Sequence, residues 1–130
     1  MPGTLVLDCE GLSKLHLKDR CLFALVQAAT EEDIRVVTAA MTTLEADHER
    51  VHPARVTRVL SRIDIRDVTK ELTAQAAVLP RDQRMHGHKD AVGAVPAAIA
   101  RSSPAPVTLA TSAPDDLAQL CGPAAEIVAV

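Results

Sequence analysis

Short apolar runs that alternate with helical segments constrain the fold of this chain more than any other feature. Between these runs lie segments whose apolar residues recur at helical spacing. Strands that alternate with helices are typical of βαβ units and therefore predict a mostly parallel sheet. We expect five strands, at Thr4–Leu7, Arg35–Thr38, Ile63–Val68, Val107–Ala110 and Ile127–Val130.

Capping residues and prolines set the expected limits of the helices. Thr69 caps one helix and Pro80 is expected to close it. Pro96 falls inside another, where it removes a hydrogen-bond donor, so we predict a kink or a late start for that helix. The expected helices are Ser13–Leu17, Lys18–Ala29, Thr42–His48, Ala54–Ile63, Thr69–Leu79, Lys89–Arg101 and Pro114–Leu120.

The length and charge of the chain limit the number of domains and the functional classes that it can belong to. With 130 residues, 48% of them hydrophobic, we expect one domain spanning residues 1–130. The chain has 14 basic and 17 acidic residues, and a net charge of −3 does not fit a nucleic-acid coat protein, although a local basic patch remains open. Phe23 is the single residue of the Phe, Tyr and Trp class, which argues against a stacking platform for bases.

The distribution of apolar residues and cysteines favours a cytoplasmic protein. No apolar run approaches the ~20 residues of a membrane span, and the first ten residues lack the basic segment of a signal peptide. Cys9, Cys21 and Cys121 form no CxxC pair, and an odd number argues against a disulfide framework. We expect three buried thiols.

Two carboxylates are the main candidates for chemistry. Asp8 and Glu45 each follow an apolar strand-like run. Because parallel strands end at the same edge of a sheet, these acids could meet there and bind Mg²⁺ or Mn²⁺. Such a metal would activate water for attack on a phosphodiester. The alternative is that Asp8 caps a helix and Glu45 is a solvated helix residue.

A second motif, His48-Glu49-Arg50-Val51-His52, matches the HExxH pattern of zinc peptidases. Its context is poor, because His52 precedes Pro53 and is pushed away from helical dihedral angles. Glu71 is the residue that could be proposed as the third zinc ligand. A zinc peptidase is therefore a remote alternative.

Three further patterns allow both a functional and a structural interpretation. Arg55, Arg58 and Arg62 form a basic stripe that could contact RNA phosphates or an acidic partner, or could be a solvated face. His86-Gly87-His88 is either a metal pair or an exposed turn. In the segment Thr111-Ser112-Ala113-Pro114, either hydroxyl could cap the helix that follows.

Taken together, four segments resemble the motifs of PIN domains, most closely those of VapC-like toxins of bacterial toxin–antitoxin pairs. The resemblance covers residues 5–130 and implies a parallel sheet with helices on both faces, a metal-dependent ribonuclease activity and a homodimer. It also implies a VapB-like antitoxin that blocks the site. The segments are Leu5-Val-Leu-Asp8-Cys-Glu-Gly-Leu12, Val37-Thr-Ala-Ala-Met-Thr-Thr-Leu-Glu45, His88-Lys-Asp-Ala-Val-Gly93-Ala-Val-Pro-Ala-Ala98 and Val107-Thr-Leu-Ala-Thr111-Ser-Ala113-Pro-Asp-Asp-Leu117.

By this resemblance, Asp8 matches the first acid of the family's site and Glu45 the second. Gly93 and Ala113 stand where the third and fourth acids belong. Asp116 matches an acid that the family often keeps and is a further candidate metal ligand. Two of the four expected carboxylates are therefore missing. Asp90, Asp115 and Asp116 are the acids that could substitute for the missing two.

The sequence thus predicts a small α/β PIN-like domain with about five strands. The resemblance implies a VapC-like endoribonuclease that uses Mg²⁺ or Mn²⁺, with activity that is weak or absent in this chain. The alternative is a non-catalytic PIN-fold module that binds an antitoxin.

Overall fold

Five parallel strands form the central sheet of the protein, described here from a computed structural model. The structure describes residues 3–46, 48–82 and 88–130, without the side chains of residues 82 and 88–92. The strand order is β3-β2-β1-β4-β5, and every neighbouring pair is parallel. The strands are β1 Thr4–Leu7, β2 Arg35–Ala39, β3 Asp64–Arg66, β4 Val107–Thr111 and β5 Glu126–Ala129.

All five predicted strands are present, although β3 is shorter than the run Ile63–Val68 from which it was predicted. No helix in the described parts of the chain has the length and hydropathy needed to cross a bilayer. The helices are α1 Cys9–His16, α2 Arg20–Glu31, α3 Ala40–Glu45, α4 Pro53–Leu60, α5 Lys70–Asp82, α6 His88–Ser102 and α7 Pro114–Cys121.

The sheet separates two hydrophobic cores, because successive side chains of a strand point to opposite faces. On β1, Val6 belongs to one core, while Leu5 and Leu7 belong to the other. The Val6 core includes buried residues of α5, α6 and α7, and the second core includes buried residues of α1 and α2. Helices therefore cover both faces of the sheet, and the predicted α/β fold class is confirmed.

Two prolines lie inside helices that were expected to stop or start at them. α5 continues through Pro80 to Asp82, and α6 begins at His88, so the predicted closure at Pro80 and the late start at Pro96 are both wrong. A proline inside a helix costs about 3 kcal/mol. Since residues 94–100 of α6 are all buried, the packing of this helix offsets that cost. A kink at Pro96 stays a prediction.

The three cysteines differ in their surroundings. Cys121 is buried, Cys9 is half-buried and Cys21 is exposed. The expectation of a buried thiol is therefore wrong for Cys21, because the position lies outside the stripe of α2 that carries the buried Leu22 and Ala29. Burial raises the pKa of the Cys121 thiol to about 11, which keeps it protonated at neutral pH.

Candidate functional site

One cavity lies beyond the carboxyl ends of the central strands and is lined by each site position that the family resemblance indicated. Its volume is about 290 Å³. Because β1, β2 and β4 are parallel neighbours, the segments that follow them meet at this edge of the sheet. The lining includes Asp8, Glu45, Gly93, Ala113 and Asp116, together with Cys9, Glu10, Thr42, Pro96, Ser112, Leu117 and Leu120.

Asp8 follows β1 directly and has two roles. Its backbone amide donates to the carbonyl of Ala110 at 3.3 Å, which continues the pairing of β1 with β4. Its side-chain Oδ1 accepts a hydrogen bond from the Gly11 amide at 2.8 Å and so caps α1. The two interpretations of Asp8 from the sequence are therefore compatible, because the carboxyl that lines the cavity is also a helix cap.

The electrostatic surroundings of Asp8 favour its neutral form. Burial raises the pKa of the carboxyl above its ordinary value, and the negative charge of Glu10 raises it further. Hydrogen bonds from the Thr111 hydroxyl and the Gly11 amide lower the pKa, but the net direction is upward. Loss of the proton, which a cation ligand requires, is therefore harder for this carboxyl than for one in water.

Glu45 is the last residue of α3, and its side chain is exposed. It lines the cavity opposite the segment that begins at Asp8. Burial and then the negative charges of Glu45, Glu10 and Asp8 raise the pKa of the Cys9 thiol, which places all three carboxylates near that sulfur. At neutral pH the thiol of Cys9 is therefore protonated and is not a ready metal ligand.

The two positions without an acid, Gly93 and Ala113, also line the cavity. A Cβ at Gly93 would lie 3.4 Å from Leu117 Cδ2 and 3.5 Å from Leu120 Cδ1, which are ordinary contact distances. The position therefore accommodates a side chain. Glycine stands here in place of the family's acid, and the space around the position does not require so small a residue.

Ala113 is the N-cap residue of α7 and provides no side-chain hydrogen bond to the helix. The predicted cap by Thr111 or Ser112 is wrong, since neither residue occupies the cap position. Thr111 Oγ1 accepts instead from the Ala113 amide, at 3.0 Å. The acid that the family resemblance expects at residue 113 would have capped α7 as well as lined the cavity.

These residues do not form a complete metal centre. Among residues 3–46, 48–81 and 93–130, no three His, Cys, Asp or Glu side chains lie close enough together to hold an ion. Asp8, Glu45 and Asp116 line the same cavity. Mg²⁺ and Mn²⁺ require more than this, because several oxygen ligands must converge on one point. The donor set described here does not fit a resident divalent cation.

The HExxH motif lies between helices, because α3 ends at Glu45 and α4 begins at Pro53. His52 is the N-cap of α4, and its Nδ1 accepts a hydrogen bond from the Ala54 amide at 3.0 Å. Its partner in the motif, His48, contacts His16 instead, with ring centroids 5.7 Å apart. The predicted break of the helical spacing at His52 is confirmed, and no structural feature of the described residues favours the peptidase interpretation.

The three arginines of the predicted basic stripe line an apolar groove formed mainly by α2 and α4. α4 ends at Leu60, so Arg62 lies beyond it and not on the expected helix Ala54–Ile63. Arg55, Arg58 and Arg62 lie beside Phe23 and Val59 in a cavity of about 400 Å³. Phe23 is 50% exposed, which is unusual for a side chain of its size. Arg58 and Arg62 are exposed, as a solvated face also requires, so their contact with RNA or an acidic partner stays a prediction.

Arg55 also ties two helices together. Its Nε donates to the carbonyl of His16 at 3.0 Å, and its Nη2 donates to that of Leu15 at 3.4 Å. Both carbonyls belong to the last turn of α1, and that of Leu15 also accepts from the Lys18 amide at 3.2 Å. Arg55 is thus fixed in place by α1, which the spacing of the stripe alone does not indicate.

Other predictions lie outside the described residues. They concern the His86-Gly87-His88 pair and the side chain of Asp90. Thr111 and the apolar wall of Pro96, Leu117 and Leu120 were not anticipated as site residues. Thr111 could have been found from its place at the end of β4, two residues before position 113, where an acid is expected. The apolar residues of the cavity depend on packing between distant segments.

A comparison with solved structures shows which fold this is. The chain superposes on a chain of the crystal structure of VapBC2 from Rickettsia felis bound to a DNA fragment from their promoter, with a TM-score of 0.68. The match covers 98% of both chains at 11% sequence identity. The predicted PIN-like fold is confirmed, and this identity shows the fold alone. No family model and no curated protein matches the sequence.

Proposed function

From its PIN-like fold and the position of its acids, we propose that the protein is a VapC-like endoribonuclease whose site is impaired. The observation that supports this proposal is the meeting of Asp8, Glu45, Gly93 and Ala113 at one cavity. The four positions come from separate segments of the chain, and the family resemblance assigned each of them to the nuclease site. Two of the four have no carboxylate, and the described residues do not complete a metal centre.

The expected activity of the natural chain is therefore weak or absent hydrolysis of RNA. The pKa of Asp8 is raised by burial, and Glu45 lies at an exposed helix end. Two carboxylates would fix fewer ligand positions of a divalent cation than four, and the cation is what would offset the repulsion between these acids and an RNA phosphate. The proposal includes a VapB-like antitoxin and a homodimer, as the family resemblance implies.

The sharpest test restores both missing acids. The variant Gly93→Asp/Ala113→Asp should cleave a labelled RNA in Mn²⁺ at least about tenfold faster than the natural chain, which corresponds to about 1.4 kcal/mol in the barrier. The matched control is Gly93→Asn/Ala113→Asn, which adds similar volume without charge. Expression of the Asp variant alone should arrest growth.

Two outcomes would contradict the proposal. If the natural chain cleaves as fast as the restored variant, its site is not impaired. If cleavage survives the change Asp8→Asn, the activity does not come from this cavity. Removal of Mn²⁺ with a chelator should abolish the activity of the restored variant.

A second candidate function is a non-catalytic module that binds an antitoxin. The observation that favours it is the groove beside α2 and α4, where Phe23 is half-exposed next to three arginines. An amphipathic segment with acidic residues would match both its apolar floor and its charge. In this case the co-encoded antitoxin should bind the protein while RNA stays intact even in the restored variant.

The change Phe23→Ala tests the groove in a pull-down with the antitoxin. Leu44→Ala is the matched control, because Leu44 is 85% exposed and does not line the groove. Loss of capture with the first change alone supports the groove, and equal capture by both variants would contradict it. Light scattering of the free protein measures whether it is a dimer.

A further inference from the structure

A small basic cleft lies at the junction of α1 and α4, at the end of α1 opposite Asp8. Its volume is about 230 Å³. Its lining includes Lys18, Arg50 and Arg55, two histidines, and the apolar residues Leu17 and Val51. The cleft lining contains no acidic residue. This is unusual for a chain with a net charge of −3.

His16 is the least expected residue of this cleft. Only 1% of its surface is exposed, and neither ring nitrogen has a hydrogen-bond partner among the described residues. A buried polar group without a partner lowers the stability of a fold by about 1–3 kcal/mol. Such groups are therefore rare and need an explanation. Burial, and then the charges of His48 and Arg55, lower the pKa of His16, which keeps the ring neutral and leaves it one N–H donor.

His52 presents a second donor at the cleft. Its Nδ1 accepts from the Ala54 amide, so in the neutral ring the proton is on Nε2. The same residue caps α4, whose amino-terminal end contributes partial positive charge. His52 is exposed, and its Nε2–H is therefore accessible to a ligand.

No acidic side chain lines the cleft beside its cations. Arg55 is fixed by its hydrogen bonds to α1, and Arg50 is exposed at the rim. Two guanidinium groups, an ammonium group and neutral imidazole donors are the groups that bind a phosphate.

We propose that this cleft binds a phosphate group of an RNA strand that continues to the cavity at Asp8. The inference rests on the proposed function for the identity of the strand. The eight residues of α1 connect the two sites, a length of about 12 Å, so one short strand could contact both. The phosphate would supply the acceptor that the buried ring of His16 lacks, after a small rotation of the side chain.

Binding can be measured without any cleavage. We would follow the imidazole signals of His16 and His52 by NMR while adding inorganic phosphate, or a single-stranded RNA about ten nucleotides long. Both probes should shift both signals to saturation. The change Arg50→Gln should weaken binding roughly tenfold or more, since it removes a charge-assisted hydrogen bond. The matched control Arg81→Gln removes an equally exposed charge outside the cleft and should change nothing.

Salt dependence provides an independent measurement. For RNA, Arg50→Gln should reduce the slope of log affinity against log salt by about 0.7, the value for one phosphate contact on a single strand. Arg81→Gln should leave the slope unchanged. Lys18→Gln is a second variant, and thermal melting checks that each variant folds.

The outcomes separate this inference from the proposed function. If neither probe moves the imidazole signals, or if Arg50→Gln and Arg81→Gln behave alike, the cleft is not a phosphate site. If phosphate binds and RNA does not, the cleft takes free phosphate and the assignment to RNA is wrong. None of these results depends on hydrolysis, so an inactive nuclease site does not affect them.

Discussion

The Gly11 amide donates to Oδ1 of Asp8 at 2.8 Å, so the acid that lines the cavity also begins a helix. Asparagine caps helices as well as aspartate, whereas alanine does not. The change Asp8→Ala should therefore lower the free energy of unfolding by about 1 kcal/mol through the lost cap. Asp8→Asn, the matched control, should keep that stability, and urea unfolding measures both. Equal losses for the two variants would contradict the capping role.

The raised pKa of Asp8 gives this position a pH dependence of defined sign. Between the ordinary value near 3.8 and the higher folded value, the native protein binds more protons than the unfolded chain. The stability contributed by Asp8 is therefore greatest at low pH and falls as the pH rises through this window. The free energy of unfolding of Asp8→Asn, relative to the natural chain, should increase from pH 3 to pH 7. A constant difference across this range would show that the pKa is not shifted.

His16 should make the protein less stable in mild acid. Its pKa is lowered in the folded state, so below about 6.5 the unfolded chain binds more protons than the native protein. Stability is therefore lost as the pH falls below that value. His16→Leu should flatten this part of the stability profile, as measured by urea unfolding at several pH values. The matched control His52→Asn, at an exposed cap, should lose stability in mild acid as the natural chain does.

Gly93 weakens the helix that contains it. Gly93→Ala should raise the free energy of unfolding by up to about 1 kcal/mol, since alanine favours a helix interior and its Cβ meets Leu117 and Leu120 at ordinary distances. The matched control is Gly11→Ala in α1, where the new Cβ would lie 3.2 Å from the carbonyl oxygen of Ala110. That closer contact should reduce or reverse the gain. Thermal unfolding of both variants makes the comparison, and equal gains would contradict it.

The empty cap of α7 can be filled without adding charge. Ala113→Ser should raise the free energy of unfolding by about 1 kcal/mol, because a serine hydroxyl can accept from the first turn of the helix. Ala113→Val adds volume without an acceptor and should bring no such gain. Activity on RNA should be unchanged in both variants, which separates the helix cap from the missing carboxylate.

The sequence predicted the sheet and the position of its acids because both depend on local pattern. The apolar run before Asp8 is a buried strand, and a residue that follows such a strand lies at the edge of the sheet. The same reasoning placed Glu45 after β2. Their meeting with Gly93 and Ala113 was expected from the family resemblance, and the shared cavity agrees with it.

Features that depend on contacts between distant segments were not predicted. The hydrogen bonds of Arg55 to α1 cross about forty positions of the chain, and no spacing within α4 indicates them. The burial of His16 against His48 has the same origin. For the helix that contains Pro96 the sequence predicts a kink or a late start, because the local cost of proline is large. The helix begins at His88, and the burial of α6 offsets that cost.

The central position of β1 has a consequence for assembly. Chain order runs outward from β1 through β2 to β3 on one side, whereas β4 and β5 lie on the other side. Asp8 and Glu45 come from the first half of the chain, and Gly93, Ala113 and Asp116 come from the second. The cavity therefore does not exist in either half alone and is completed when β4 pairs with β1. A probe placed in its wall would therefore report the pairing of β4 with β1 during folding.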